Sequence, residues 1–420
     1  MKYLILLCTI AISYNAFAQS GDLQRYYVQA MQAFKDGRAE EFYTLISKAR
    51  EIHPYHQGIL YQSGIAAAMT NRKDEALRYL KSALLIQSDF HLNVPELKGL
   101  ESDPRFQELK QIKEEAARAI VNSDTAFILH DRQLHLESIA EGEADGIFYG
   151  GSIRKRKIVR ITKNDVEDFT SEGQDGLCSV FGVKVDPRRK ILWASSSPMP
   201  EMQGYDSTLT SAVYAYDIAN GKLIRKVLPE NPRMPLVLGD LVLSERGEVY
   251  VSDSKNNMIF RVSQSGTVLE QFFSSDEFWN IQGITLSGDG KYMFIADYVR
   301  GLFRLELDGR RLIHLEKSFD LSLKGIDGLV WHDNTLVAIQ NNVNPMRVTR
   351  YSLSREQDVL VSFEILDKKH PAYNEPTLGC IHNDMFYYVA NSQWGGYDEN
   401  HQIKPSGQLQ DIVILMLKLP

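Results

Sequence analysis

The sequence predicts an α+β multidomain chain, in which a short all-α domain of paired helices precedes an all-β six-bladed propeller. Two observations predict it. Apolar residues recur with a period near 3.6 up to about residue 120 and with a period of two beyond it. The second part also repeats one three-strand phrase roughly every 45 residues. The phrase is clearest at 281–307, where a strand over 282–286 runs into Ser287-Gly288-Asp289-Gly290. Such a cluster is a hairpin turn, because glycine supplies the positive φ that a tight turn needs. A β-branched and aromatic strand follows at 292–296, then a third in which Leu302, Arg304 and Glu306 alternate with Phe303, Leu305 and Leu307. Copies lie at 137–161, 181–218, 239–262, 326–353 and 376–419, the second interrupted by a polar insertion over 198–210 and the fourth carrying Asn334 at its turn. Three short strands cannot bury a face alone, so the copies are expected to pack radially around an axis. A β-sandwich is the alternative, and it does not need so regular a phrase. A propeller joins its two ends to avoid an exposed edge, which pairs a strand over 126–130 with 411–419.

Residues 1–18 have the form of an export leader: Lys2, an apolar run over 3–12, and Ala16-Phe17-Ala18 before Gln19. The mature chain is then expected to be periplasmic or secreted. Cys8 lies inside the apolar run, too near the start to be a lipidated cysteine. From 19 to 121 the helical stripes are Tyr26, Ala30, Ala33 and Phe34, then Phe42, Leu45 and Ala49, with Gly37 between them. The pattern returns in Leu60, Gly64, Ala67 and Ala68, then Ala76, Leu77, Leu80, Ala83 and Leu84, with Asn71-Arg72 at the turn. A third unit begins at Ser102-Asp103-Pro104, a helix cap with proline in the first turn. These pairs resemble tetratricopeptide repeats, which implies either a groove for a protein partner or a packing domain leaning on the propeller. The propeller is expected over 125–420.

A net charge of −7 argues against a nucleic-acid partner, whose phosphates need a basic face. The one dense basic run, Arg154-Lys155-Arg156-Lys157, is expected to be a solvated turn. No stretch after the leader reaches the ~18 apolar residues of a spanning helix. Cys178 and Cys380 belong to different repeats and are expected to be free thiols. Phosphate-loop, H-E-x-x-H, G-x-S-x-G and C-x-x-C motifs do not occur.

Chemistry must therefore come from geometry. Inner strands of a propeller all begin at one mouth of the channel, so Glu137, Phe181, Gly239 beside Asp240, Gln282, Asp327, and Pro376 between Glu375 and Thr377 form a ring. Convergent carboxylate and amide oxygens suit a hard cation such as Ca²⁺, which takes six to eight oxygens. Alternatively these side chains bond backbone groups and water in the channel.

Glu137-Ser138-Ile139, Gln282-Gly283-Ile284 and Asp327-Gly328-Leu329 resemble the strand openings of the gluconolactonase, senescence-marker-protein and luciferin-regenerating-enzyme family. The phrase over 240–261 is shared with NHL-type propellers, and the resemblance covers roughly 125–420. It implies that Glu137, Gln282 and Asp327 bind a divalent metal, usually calcium, and that Asp327 is the catalytic base of lactone or ester hydrolysis. Gln282 stands where the family has Asn, and Gly239 where it has a substrate-contacting Asn. Asp240, Glu375 and Thr377 are then candidate contacts for a small lactone, ester or sugar-like ligand. A non-catalytic propeller that binds a ligand or protein, and a lyase on the same scaffold, remain open. Arg300 is expected to be a loop salt-bridge partner. His332 and His382 are expected to be solvated. The loop over 391–408, beginning Asn391-Ser392-Gln393-Trp394, is either a lid or an insertion.

Overall fold

Tight turns and small residues set how the helices pair in the first part of the structure, a computed structural model that describes residues 14–163 and 165–420. Residues 1–13 of the expected leader, with the whole of its apolar run and Cys8, lie outside the described residues. Helix Tyr14–Lys35 turns at Gly37 (φ 72°) into Ala39–Ile52, and Gln57–Met69 turns at Asn71 (φ 61°) into Lys73–Ile86. A Cβ on Gly64 would come within 2.7 Å of Leu80 Cγ, so only glycine lets these two helices approach so closely. Phe42, Ile46, Leu80 and Phe106 are buried together. Helix Pro104–Ala117 follows, its start capped by Asp103 Oδ1, which accepts from Arg105 N at 3.0 Å. The chain divides into compact units between Glu115 and Ala116.

The second unit is mostly β and propeller-like, built of antiparallel meanders whose inner strands are Leu136–Glu141, Ser179–Asp186, Leu238–Leu243, Ile281–Leu286, Ile326–His332 and Gly379–His382. Its strands form five sheets among the described residues. The eight-stranded one is two meanders, starting at Ser179 and Leu238, joined by a short parallel pairing of the outer strands Leu223–Pro229 and Val268–Ser274. In the last sheet Asp124–Leu129 pairs antiparallel with Ile412–Lys418, so the start of the unit completes the meander at its end, as the closure argument requires.

One irregularity recurs. In the first five meanders the inner strand shifts register against its neighbour at the opening: between Leu136 and Ser138, Val180 and Val183, Leu238 and Leu241, Ile281 and Ile284, and Ile326 and Leu329. A bulge re-aims the side chain it carries, and these bulges carry Glu137, Phe181, Asp240, Gln282 and Asp327. The glycines beside them allow neighbouring inner strands to touch. A Cβ on Gly182 would meet Gly239 O at 2.9 Å, one on Gly328 would meet Thr377 O at 2.6 Å, and one on Gly283 would strike Asp327 O. Thr377 Oγ1 donates to Glu137 O at 2.7 Å and ties the last meander to the first.

Two expectations change here. The last inner strand begins at Gly379 rather than Pro376, because proline has no N–H for the ladder and Glu375 sits at φ 62°. The basic run is half-buried rather than solvated: Lys155 pairs with Asp131 at 2.6 Å and Lys157 with Asp168 at 2.5 Å. Cys178 and Cys380 are buried free thiols. No helix among the described residues is long and apolar enough to cross a membrane.

Candidate functional site

Glu137 is carried into the channel mouth by the first bulge, and its burial is almost complete. Its Oε2 accepts from Ser392 Oγ and, at 3.1 Å, from Trp394 Nε1. Burial pushes its pKa up to about 8 and the charge of Asp327 adds to the shift, against the two hydrogen bonds, which favour the ionised form. Asp327, on the fifth inner strand, is pushed up to about 7, again chiefly by burial, with Asp240 and Glu375 adding like charge. Asn341 opposes this by donating from Nδ2 to Asp327 Oδ2 at 2.6 Å. That amide is fixed from behind, because Tyr298 Oη donates to Asn341 Oδ1 at 2.6 Å and Nδ2 also donates to Pro376 O at 3.1 Å.

The remaining expected site residues divide by what already holds them. Asp240 accepts from Leu241 N at 2.9 Å and from Ile284 N at 3.1 Å, and Lys184 Nζ lies 3.8 Å from its Oδ1. Its Oδ2 therefore ties its meander to the next, while its own strand takes Oδ1. Thr377 is fully buried and spends its hydroxyl on Glu137 O. Glu375 is half-buried, its pKa raised by burial, and accepts from Gly395 N at 3.3 Å. Gln282 is half-buried and donates from Nε2 to Asn280 Oδ1 at 2.6 Å, which leaves its oxygen as the uncommitted end.

The loop after Asn391 covers this mouth. Asn391, Ser392 and Gln393 are buried at its root, and the Trp394 ring meets His135 edge-on at 4.6 Å and stacks near Phe181 at 6.3 Å. His135 contacts Tyr397 Oη at 2.7 Å, and burial pushes its pKa down to about 3, so its imidazole is neutral. Farther along, His401 Nδ1 lies 2.7 Å from Glu201 Oε1 and joins the loop to the polar insertion of the second meander. Ser392, Trp394 and Asn341 are the site residues that sequence reasoning missed. The long interruption beginning at Asn391 was the one visible signal for Ser392 and Trp394, and Asn341 had none.

The donor set bears on the implied calcium ion. Hydrogen bonds reach Glu137 at Oε2 and Asp327 at Oδ2, leaving Oε1 and Oδ1 without a donor among the described residues. Two carboxylate oxygens and the Gln282 amide oxygen are hard ligands of the kind Ca²⁺ takes. Among the described residues no three His, Cys, Asp or Glu side chains form a cation-holding group, so the amide would have to serve.

The other candidates lie elsewhere. Arg300 pairs with Glu277 at 3.4 Å and donates to its carbonyl at 2.8 Å. His332 and His382 are not solvated: each side chain is 14% exposed, with His332 3.1 Å from Asp384 and His382 between Glu141 (2.5 Å) and Asp145 (3.3 Å). Carboxylates from the neighbouring meander hold each ring, which no local sequence signal announces.

No family model matches the chain, and no curated protein matches it. Among solved structures the chain is similar to regucalcin, a calcium-binding protein from Agrobacterium tumefaciens, with 15% identity over 70% of this chain and 96% of that one, at a TM-score of 0.48. It is also similar to a catalytically inactive virginiamycin B lyase from Staphylococcus aureus with quinupristin (15% identity, 65% and 78% covered, TM-score 0.44). A third is the PQQ-bound aldose sugar dehydrogenase of Streptomyces coelicolor (11% identity, 71% and 99% covered, TM-score 0.47).

Proposed function

We propose that the second unit is a six-bladed propeller of the gluconolactonase-like type, whose mouth binds and hydrolyses a small lactone, ester or sugar-like molecule with a divalent cation, Ca²⁺ foremost. The observation that carries this reading is the pair of acids at one end of the channel, buried Glu137 and half-buried Asp327, whose pKa values are pushed up to about 8 and about 7. A cation between such acids relieves the repulsion of their ionised forms, and acids with perturbed pKa values are candidates for proton transfer. In this reading Glu137, Gln282 and Asp327 hold the ion. Once bound, it supplies the charge that polarises a carbonyl and stabilises an oxyanion. Asp327 takes the proton of the attacking water, the role that the family resemblance implies for it. Asn341 fixes the plane of that carboxylate. Ser392 and Trp394 orient Glu137, and their loop keeps bulk water from the mouth. Of Asp240, Glu375 and Thr377, Glu375 is the least buried and the best placed to meet a ligand.

A second reading, a propeller that binds a ligand or protein without catalysis, is favoured by the closed mouth, where Ser392 and Trp394 already occupy one oxygen of Glu137. Calorimetric titration of chelated protein with Ca²⁺, Mg²⁺, Mn²⁺ and Zn²⁺, alongside a lactone-hydrolysis assay, separates the two. Saturable heat and turnover, both lost in Asp327→Ala, are expected; no heat and no turnover leaves the binding reading. Residues 1–18 are proposed to direct export, with Gln19 as the first residue of the mature protein, which an intact mass of the exported chain tests. The helices are proposed, by their tetratricopeptide likeness, to offer a groove to a protein partner.

A further inference from the structure

We propose that the loop over 393–410 is a hinged cap, latched by His401 on Glu201, which must swing off the channel mouth before a ligand can reach both Glu137 and Glu375. The cap is closed at its neck. Gln393 donates from Nε2 to Gln410 O at 3.0 Å and accepts from Gln410 N at 2.7 Å. Just behind it Asn391 donates to Asp411 O and accepts from Val413 N, both at 2.8 Å. Beyond the neck the chain pairs with itself: Tyr397 bridges Ile403, Lys404 N donates to Gly396 O at 2.9 Å, and Asp398 N donates to Gln402 O at 2.9 Å. A loop that satisfies its own backbone groups can move as a body without leaving them unpaired. Two glycines stand where such a body would pivot. A Cβ on Gly395 or Gly407 would meet nothing within 4 Å, and neither has a positive φ, so neither space nor turn geometry calls for glycine there. What glycine adds is backbone freedom, beside Trp394 at one end of the cap and near the neck at the other.

The cap spends two adjacent donors on acids of the mouth. Trp394 Nε1 donates to Glu137 Oε2 at 3.1 Å, and Gly395 N donates to Glu375 Oε2 at 3.3 Å. These N–H groups stand where the donors or the charge of a ligand would, so a ligand that needs both oxygens has to displace both. The far end of the cap has no core to hold it. Residues 398–402 are exposed, and His401 Nδ1 meets Glu201 Oε1 at 2.7 Å across the gap to the polar insertion of the second meander. The insertion is the fixed side of that contact: the Glu201 side chain is 12% exposed, Met202 beside it is buried, and Gln203 N donates to Arg154 O at 2.9 Å. One polar contact between an exposed loop end and an anchored carboxylate can break without disturbing a core, which is what a latch requires. The consequence for ligands rests on the mouth being the cation site proposed for it.

The test uses the full mature chain, spin-labelled at Glu399→Cys in the cap and Ser207→Cys in the insertion, both exposed positions, while the native Cys178 and Cys380 are buried. Pulsed electron resonance is expected to give one short separation, to which either latch variant, His401→Ala or Glu201→Gln, adds a second, longer one. In the unlabelled chain the same two variants should bind Ca²⁺ about threefold to tenfold more tightly, because a site open for only part of the time gains affinity as that fraction grows, and one lost hydrogen bond shifts it by about this factor. Trp394→Phe keeps the ring, loses the N–H on Glu137, and should shift the affinity in the same direction. Separations unchanged in both latch variants, or a longer separation with unchanged or weaker Ca²⁺ binding, overturn the proposal. Ca²⁺ binding absent from wild type and variants alike overturns the cation reading of the mouth instead, and the label separations then decide whether the cap opens.

Discussion

Replacing Glu137 with Gln keeps the side chain's shape and its capacity to accept from Ser392 and Trp394, and removes only the titrating group. The folded pKa is about 8 against an ordinary value of 4.5. Between those values the folded chain keeps a proton that the unfolded chain has released, so wild-type stability falls as pH rises through this window and levels off above it. At pH 7 the window has been crossed for about 2.5 units, which at about 1.4 kcal/mol per unit is a cost of about 3–4 kcal/mol. Glu137→Gln should therefore match wild type near pH 4.5 and be more stable by about 3–4 kcal/mol at pH 7. Urea unfolding in chelator, followed by tryptophan fluorescence from about pH 5 to about pH 8, measures the difference. A gap that does not widen with pH, or a variant less stable than wild type at pH 7, refutes the argument that burial holds this acid protonated.

Three further outcomes are expected. Asn341→Ala removes the hydrogen bond that favours ionised Asp327, so the pKa of Asp327 rises further and any hydrolytic rate should begin its climb at higher pH, as a pH–rate profile would record. Gly283→Ala drives a Cβ into Asp327 O and should cost about 1–3 kcal/mol while weakening cation binding at the mouth, read by urea unfolding and by Ca²⁺ titration. Deleting residues 124–129 strips Ile412–Lys418 of its outer partner, and should lower the melting temperature of the whole second unit in one transition; a small, local loss of structure would count against the ring closure.

The sequence by itself determined what repeats and local chemistry encode. Alternation and glycine turns placed the meanders, because a strand with one buried face must alternate and a tight turn needs positive φ, as Gly290 (69°) and Asn334 (61°) have. The helix pairs were legible for the same reason, with Gly37 and Asn71 at their turns. The openings at Glu137, Gln282 and Asp327 were legible as positions in the phrase. Their states were not. The pKa of Glu137 depends on burial, on Asp327 190 residues away in sequence, and on Ser392 and Trp394 from the loop that covers it. Asp240 reads as a free carboxylate at a strand opening, yet backbone amides of its own and the next meander take both oxygens. His382 reads as a hairpin residue until Glu141 of the first meander is brought beside it. A strand's alternation is a property of neighbours in sequence, whereas desolvation and charge pairing are properties of neighbours in space, and only the closed ring of meanders decides which those are.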